Sequence, residues 1–283
     1  MVAVGVIALL LGSGNPVVET HRILSADMPF ERVTGVSRSG AKWLVGGLRG
    51  LVLGKPGGPW QSASGQSVKQ MLAAGEGTWV VYGNGAVDKV DLKTCQLYYD
   101  VLQAGAKRPW VASAYLSGKD VLLGGQGGWI VKSPSGLTET YPPELNGRPV
   151  TAIARTKGTL WVGTQDALFR QVGSKLTRFG FASGMPDVWV TAILPSEETV
   201  VVGLASGGLV RIVGDKAQAV PCPSLRVRLL YRWKGNLVLG ALDGAWLRSG
   251  AEWQRLSDRE ATFVEEVDGE LAIGSPGDIR FFR

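Results

Sequence analysis

The chain has 283 residues, 45% of them apolar and only 19% charged, and its 40 glycines suit a globular, β-rich protein with many turns rather than a disordered one. Its net charge of +6 comes from 30 broadly scattered basic residues with no basic stripe interleaved with aromatics, which argues against specific nucleic-acid recognition. Two cysteines and one histidine supply no closed zinc motif, no haem-attachment CxxCH and no serine–histidine–acid set, so no metal or cofactor is expected.

Residues 2–11 are a nearly continuous apolar run followed by Gly12-Ser13-Gly14-Asn15-Pro16. The run is similar to the hydrophobic part of a secretory signal, although no basic residue precedes it and no A-x-A site follows. It is too short for an ordinary spanning helix, so no transmembrane span is expected. Segment 1–18 is therefore set apart as a signal or anchor remnant. Periplasmic or otherwise extracytoplasmic placement is expected, with the cytoplasm as the alternative.

Residues 21–24 then read as a lone strand. Beyond them an apolar run stops at a glycine seven times, at Gly46, Gly83, Gly124, Gly163, Gly203, Gly240 and Gly274, with spacings of 37, 41, 39, 40, 37 and 34 residues. A unit of that length cannot bury its apolar face alone, so the period indicates a stacked or radial array. Within the unit at 150–180, strands are expected at 150–154, 160–163, 167–171 and 176–179, separated by the Gly, Asp and Ser residues that antiparallel turns need. Four short strands per unit without helices predict a seven-bladed β-propeller of four-stranded antiparallel blades. The seventh unit ends before its fourth strand, so the strand around His21 is expected to complete that blade and make 19–283 one domain.

Trp43, Trp79 and Trp161 fall at the starts of second strands, and Trp129 and Trp246 at the starts of third strands, which suits packing between sheets. Trp60, Trp233 and Trp253 lie outside that pattern and are candidate surface contacts. Asp166, Asp243 and Asp278 follow second strands, where aspartate supports turns. Cys95 and Cys222 fall on blades that are not neighbours, so no disulfide between them is expected. Arg32, Arg108, Arg148, Arg226 and Arg259 each stand just before a first strand. If first strands are innermost, these five converge on one axial mouth and draw anions to it.

The fourth unit, Val150-Thr151-Ala152-Ile153, then Lys157-Gly158-Thr159-Leu160-Trp161-Val162-Gly163-Thr164 and Ala167-Leu168-Phe169-Arg170, resembles the two-component-regulator propeller repeat. The pattern extends over residues 33–283. The resemblance implies a sensor-type propeller acting outside the cytoplasm, here without an attached kinase or receiver. The functional expectation is a non-enzymatic binding or assembly module that presents a rigid surface, with its basic mouth, to a protein partner. An acidic ligand or carboxylated glycan is a further candidate for the mouth. The alternatives are an extracytoplasmic ligand-sensing propeller and a propeller lyase or glycan-active hydrolase.

Overall fold

A computed structural model describes residues 17–283 except 75, 76, 95, 100, 103, 104, 109, 197 and 198. The segment expected to be a signal thus lies, up to residue 16, outside the described residues, as does Cys95. The strands form seven four-stranded antiparallel sheets in chain order, the blades of a propeller. Their first strands are Val33–Ser39, Val68–Ala74, Val111–Ser117, Ala152–Thr156, Val190–Pro195, Val227–Trp233 and Phe263–Val267. Each packs beside the next, and the last beside the first, so these strands surround the axis. The seventh blade takes its outer strand from Glu19–Leu24, with His21 opposite Phe281 and Leu24 opposite Asp278. His21 stacks on the Phe281 ring at 4.1 Å. The two ends of the described chain also exchange amide bonds between Val18 and Arg283, at 3.3 and 3.1 Å.

In the fourth blade the strands are Ala152–Thr156, Thr159–Gly163, Leu168–Val172 and Lys175–Phe179. The first starts two residues later than its apolar run because the Val150 amide donates to Gly125 of the preceding blade, at 3.0 Å. Gly158, at φ 70°, turns the chain between the first two strands in a conformation other residues resist.

The recurrent glycine is explained by the neighbouring blade. A Cβ at Gly46, Gly124, Gly163 or Gly203 would stand 2.6, 2.5, 2.3 or 2.6 Å from the Cγ1 of Val68, Val150, Val190 or Val227, the valine that leads into the next first strand. Each glycine therefore admits a valine from next door, and that contact welds the sheets near the axis. The second blade departs from this pattern. There Val81, not Gly83, pairs with Gln70 in the place where Gly46 pairs with Gly35 and Gly163 with Ala152. The sequence repeat is two residues out of register in that blade.

Hydroxyls lock the same seams. Thr34, Ser113, Thr151 and Thr191 donate to the carbonyls of Val68, Val150, Val190 and Val227 at 2.8, 2.7, 2.6 and 2.8 Å, always from one blade to the next. Between the second and third blades Gln70 does this work by donating to and accepting from Ala114, at 3.0 Å each. The seam between the seventh and first blades is different again. Thr262 occupies the equivalent position, but its hydroxyl is buried without a partner, and Val36 instead donates to Glu265 at 3.4 Å. Arg32 with Glu260 and Arg38 with Asp268, both at 2.6 Å, bracket that carboxyl.

The five patterned tryptophans are buried, at 2–9% exposure. Their equivalence is only partial. Counted from the glycine position, Trp79 and Trp161 share one register and pack towards the following blade, whereas Trp43 is one residue earlier and packs against Phe281 and Ile279 of the seventh blade. One residue along a strand reverses the face.

Candidate functional site

The ring has two faces. On the loop face the chain crosses from one blade's outer strand to the next blade's first strand, beside the turns joining second and third strands. The hairpin face carries the tight turns from first to second strands. All five arginines that precede first strands lie on the loop face, but the structure does not gather them into one cluster of free cations. Arg32 is bidentate to Glu260, at 2.7 and 2.6 Å. That contact holds the Glu260 carboxyl below the usual glutamate range and places Arg32 beside the residue that follows Arg259. Arg259 itself donates to the Pro276 carbonyl at 3.2 Å. Arg148 pairs with Asp166 at 3.0 Å. Arg108 stands over the Tyr141 ring at 4.7 Å, whose hydroxyl is pushed up to about 12 by burial and by its bond to Glu139. Arg226 is exposed and its guanidinium has no partner among the described residues. The first strands add two cations absent from the sequence reading. Lys69 and Arg228 occupy the positions taken by Thr34 and Thr151 in their blades, and loss of solvation pushes the Lys69 ammonium down.

Aspartates hold the loops in place. Asp187 accepts from the amides of Val188, Trp189 and Ser206 and from the Ser206 hydroxyl, at 2.7, 3.2, 2.8 and 3.0 Å. Burial acts to raise its carboxyl, and these donors outweigh it, leaving the group below the usual aspartate range. Asp166 accepts from Thr164 at 2.7 Å, and Asp243 accepts from Ser224, whose oxygen in turn receives the Arg226 amide. Asp278 is buried between Arg22 and Arg280, at 3.5 and 3.3 Å. Turn support describes Asp166 and Asp243, whereas Asp278 opens a strand, serves ion pairs and leaves Oδ1 buried without a hydrogen-bond partner.

This bracing fixes apolar side chains in solvent. Trp189 is 45% exposed, Leu225 63% and Leu242 37%. They are contiguous through the backbone: Ala205 donates to the Trp189 carbonyl, Gly208 to that of Leu225, and Leu242 to that of Arg226, at 3.0, 3.0 and 3.3 Å. A tryptophan, two leucines and an arginine without a partner among the described residues thus stand on adjoining loops of the fifth and sixth blades. Phe181, in the loop before the fifth blade, is also 67% exposed. The sequence signal was present but unread: Trp189 and Leu225 precede first strands just as the arginines do.

Among the tryptophans expected at the surface, Trp233 is a correction. It is 1% exposed, because Lys234 and Gly235 make the turn by themselves and leave Trp233 as the last residue of its strand, packed on Leu271 and Phe282. Trp60 is half-buried against the core between the first and seventh blades. Trp253 is half-buried, donates from Nε1 to Pro221 at 3.2 Å and lies under Arg248. Burial pushes the Cys222 thiol up, which keeps it protonated. No group of three or more His, Cys, Asp or Glu side chains among the described residues is placed to hold a metal ion, and no helix there is long and apolar enough to cross a membrane.

No protein-family model matches the sequence, and no curated protein does. Solved structures do resemble it. The BT3049 extracellular domain from B. thetaiotaomicron, assigned to a hybrid two-component system, superposes with a TM-score of 0.73 at 17% identity, over 90% of this chain and 39% of that one. The corresponding BT4673 domain from the same organism gives 0.70 at 15% identity, over 93% and 39%. The present chain therefore spans well under half of either sensor chain. A catalytically inactive virginiamycin B lyase from Staphylococcus aureus, solved with quinupristin, gives 0.68 at 13% identity, over 94% and 98%. These likenesses establish the fold, a seven-bladed β-propeller resembling the extracellular domains of two-component sensors.

Proposed function

We propose that the protein is a non-enzymatic recognition propeller of the sensing type, which engages a protein partner through its loop face outside the cytoplasm. The contiguous Trp189–Leu225–Leu242 surface with the unpaired Arg226 carries this reading. Exposed aromatic and aliphatic side chains beside arginine are the composition of a binding hot spot, and here the backbone bracing limits the entropy lost on docking. The resemblance to two sensor domains favours sensing over passive assembly. A partner with an apolar knob rimmed by carboxylates complements this surface. Arg32 and Arg148, being already paired, contribute less than a count of basic residues suggests.

Affinity capture from the native source tests the proposal, with wild type run beside Leu225→Asp and Trp189→Ala at matched fold content. A stoichiometric complex that both substitutions weaken, each by about 2 kcal/mol, is the expected result. A monodisperse protein that captures nothing, or a complex indifferent to both changes, would remove the loop face from consideration. Turnover on glycan, ester or peptide panels that a single carboxylate substitution abolishes would instead restore an enzymatic reading. Extracytoplasmic placement is tested by fractionating the native host.

A further inference from the structure

One six-residue motif occurs twice in this chain. Arg38-Ser39-Gly40-Ala41-Lys42-Trp43 joins the first two strands of the first blade, and Arg248-Ser249-Gly250-Ala251-Glu252-Trp253 joins the last two strands of the sixth. The two copies fold alike. In each, the arginine lies opposite the tryptophan across the hairpin and stands over its indole, 5.3 and 5.7 Å from the ring centre. In each, the arginine Nε donates to the glycine carbonyl of the turn, at 2.7 and 3.1 Å, and that glycine has a positive φ, 58° and 62°. The ring and the turn thus hold the guanidinium in one place and leave its Nη groups for another acceptor.

What reaches those groups differs. Asp268, on the turn between the first two strands of the seventh blade, meets Arg38 at 2.6 Å. Arg170, which stands over Trp161, likewise takes Asp215 of the next blade. Arg248 is left without such a pair among the described residues. Glu252, in its own turn, lies opposite Ser249 and so leaves the hairpin on the other side from Arg248. Arg255 stands over Trp246 at 5.6 Å, on the same side as Arg248, and bonds only to main-chain carbonyls, those of Ser257 and Asp243, at 3.3 and 3.0 Å. The whole hairpin from Gly244 to Ser257 is described.

We propose that this hairpin of the sixth blade binds an acidic peptide segment, one carboxylate of which takes the place at Arg248 that Asp268 holds at Arg38. The occupied copy of the motif shows which chemistry the fork accepts: a carboxylate carried by a polypeptide. Arg248 and Arg255 are diagonal neighbours on adjacent strands, which puts their backbones about 7–8 Å apart. Alternate residues of an extended chain are about 7 Å apart and point to one side. A second acid two positions along the peptide therefore meets Arg255, and the sequence recognised is Asp-x-Glu. The reading of the loop face as a partner surface is not needed for this site.

The test is fluorescence anisotropy on the full chain with the labelled peptide Ser-Asp-Ser-Glu-Ser. Its neutral counterpart Ser-Asn-Ser-Gln-Ser, its isomer Ser-Asp-Glu-Ser-Ser and digalacturonate serve as comparisons. The acidic peptide is expected to bind at least about tenfold more tightly than the neutral one and several-fold more tightly than the isomer, with an affinity that falls as salt is raised. Arg248→Gln and Arg255→Gln should each weaken it several-fold. Arg248→Lys should weaken it too, because lysine keeps the charge and loses the fork. Lys175→Gln, which removes an exposed charge from the fourth blade, should leave it unchanged. Circular dichroism melts check that the variants remain folded. Equal binding of the neutral peptide or of the isomer, indifference to Arg248→Gln, displacement by digalacturonate at a lower concentration than the unlabelled peptide, or no binding at millimolar peptide would each overturn the assignment.

Discussion

Alanine at Gly163 is expected to destabilise the ring by about 1–3 kcal/mol, whereas alanine at Gly83 should fall within about 0.5 kcal/mol of wild type. Both glycines end the same apolar run, so sequence alone treats them as equivalent. Their surroundings differ. A Cβ at position 163 would meet Val190 Cγ1 at 2.3 Å and its Cβ at 2.7 Å, while one at position 83 would meet nothing closer than the Ser67 carbonyl oxygen at 3.6 Å. Restricting the unfolded chain even favours alanine slightly at position 83. Chemical denaturation of the two variants measures the contrast, and pairing Gly163→Ala with Val190→Ala should make the two changes less costly together than their sum. Equal midpoints for Gly163→Ala and Gly83→Ala would show that valine does not fill the glycine's place.

The second large effect concerns Glu265, whose carboxyl faces the seam between the seventh and first blades. The residue is half-buried, and burial pushes its carboxyl up to about 8, opposed only by the Val36 amide. No cation pairs with it among the described residues, and Glu266 and Tyr231 lie nearby without offsetting its charge. The folded-state value lies above that of the unfolded chain, so between the ordinary glutamate range and pH 8 the folded protein holds a proton that the unfolded chain has released. Stability is therefore greatest at the acid end of this window and is lost as pH rises through about 8. The loss is on the order of a few kcal/mol at about 1.4 kcal/mol per pH unit. Glu265→Gln keeps an acceptor for Val36 and removes the charge. Its Tm should exceed that of wild type by several degrees at pH 9 and match it near pH 5. A gap that does not change with pH would mean that the carboxyl stays ionised or solvated throughout.

The blade count, the antiparallel order and the closing strand were legible because each follows from periodicity and turn chemistry, which are local. Gly46, Gly163 and Gly203 marked the repeat as the ends of apolar runs, but that each admits a valine shows only in the ring, because the valine lies a varying number of residues further on, in the next blade. Register was not legible in the second blade. Val80-Val81-Tyr82-Gly83 satisfies the apolar-run rule, but only pairing with Gln70 shows that Val81 holds the glycine's place. Trp233 was misplaced for a related reason, since Lys234-Gly235 can make a turn with or without the residue before them. For the site, position before a first strand was the right place to look and charge was too narrow a filter. Arg32 and Arg148 find carboxylates on Glu260 and Asp166 that are remote in sequence, whereas Trp189 and Leu225 remain in water. Glu265 looked like any strand glutamate, because its burial depends on a blade more than 200 residues away.

The one-way hydroxyl bonds between blades also bear on how such a chain can change length. From Ser113 to Val227 every donor meets the carbonyl of a valine in the same structural position, so the third, fourth and fifth blades speak a shared docking language. A second copy of residues 150–189 placed after the first would bring Thr151 against the carbonyl of a new Val150 and retain the contact with Val190, and Gly163 would again receive a valine. The other three seams do not share that language, and between the sixth and seventh blades Arg228 stands where the threonine does elsewhere. Gln70 instead exchanges bonds with the Ala114 backbone of the third blade, and the seam between the seventh and first blades is held by Glu265 with Val36, Arg32 with Glu260 and Arg38 with Asp268. Repeat duplication and loss can therefore act on the middle of this ring while the sixth, seventh, first and second blades stay in place as its fixed frame.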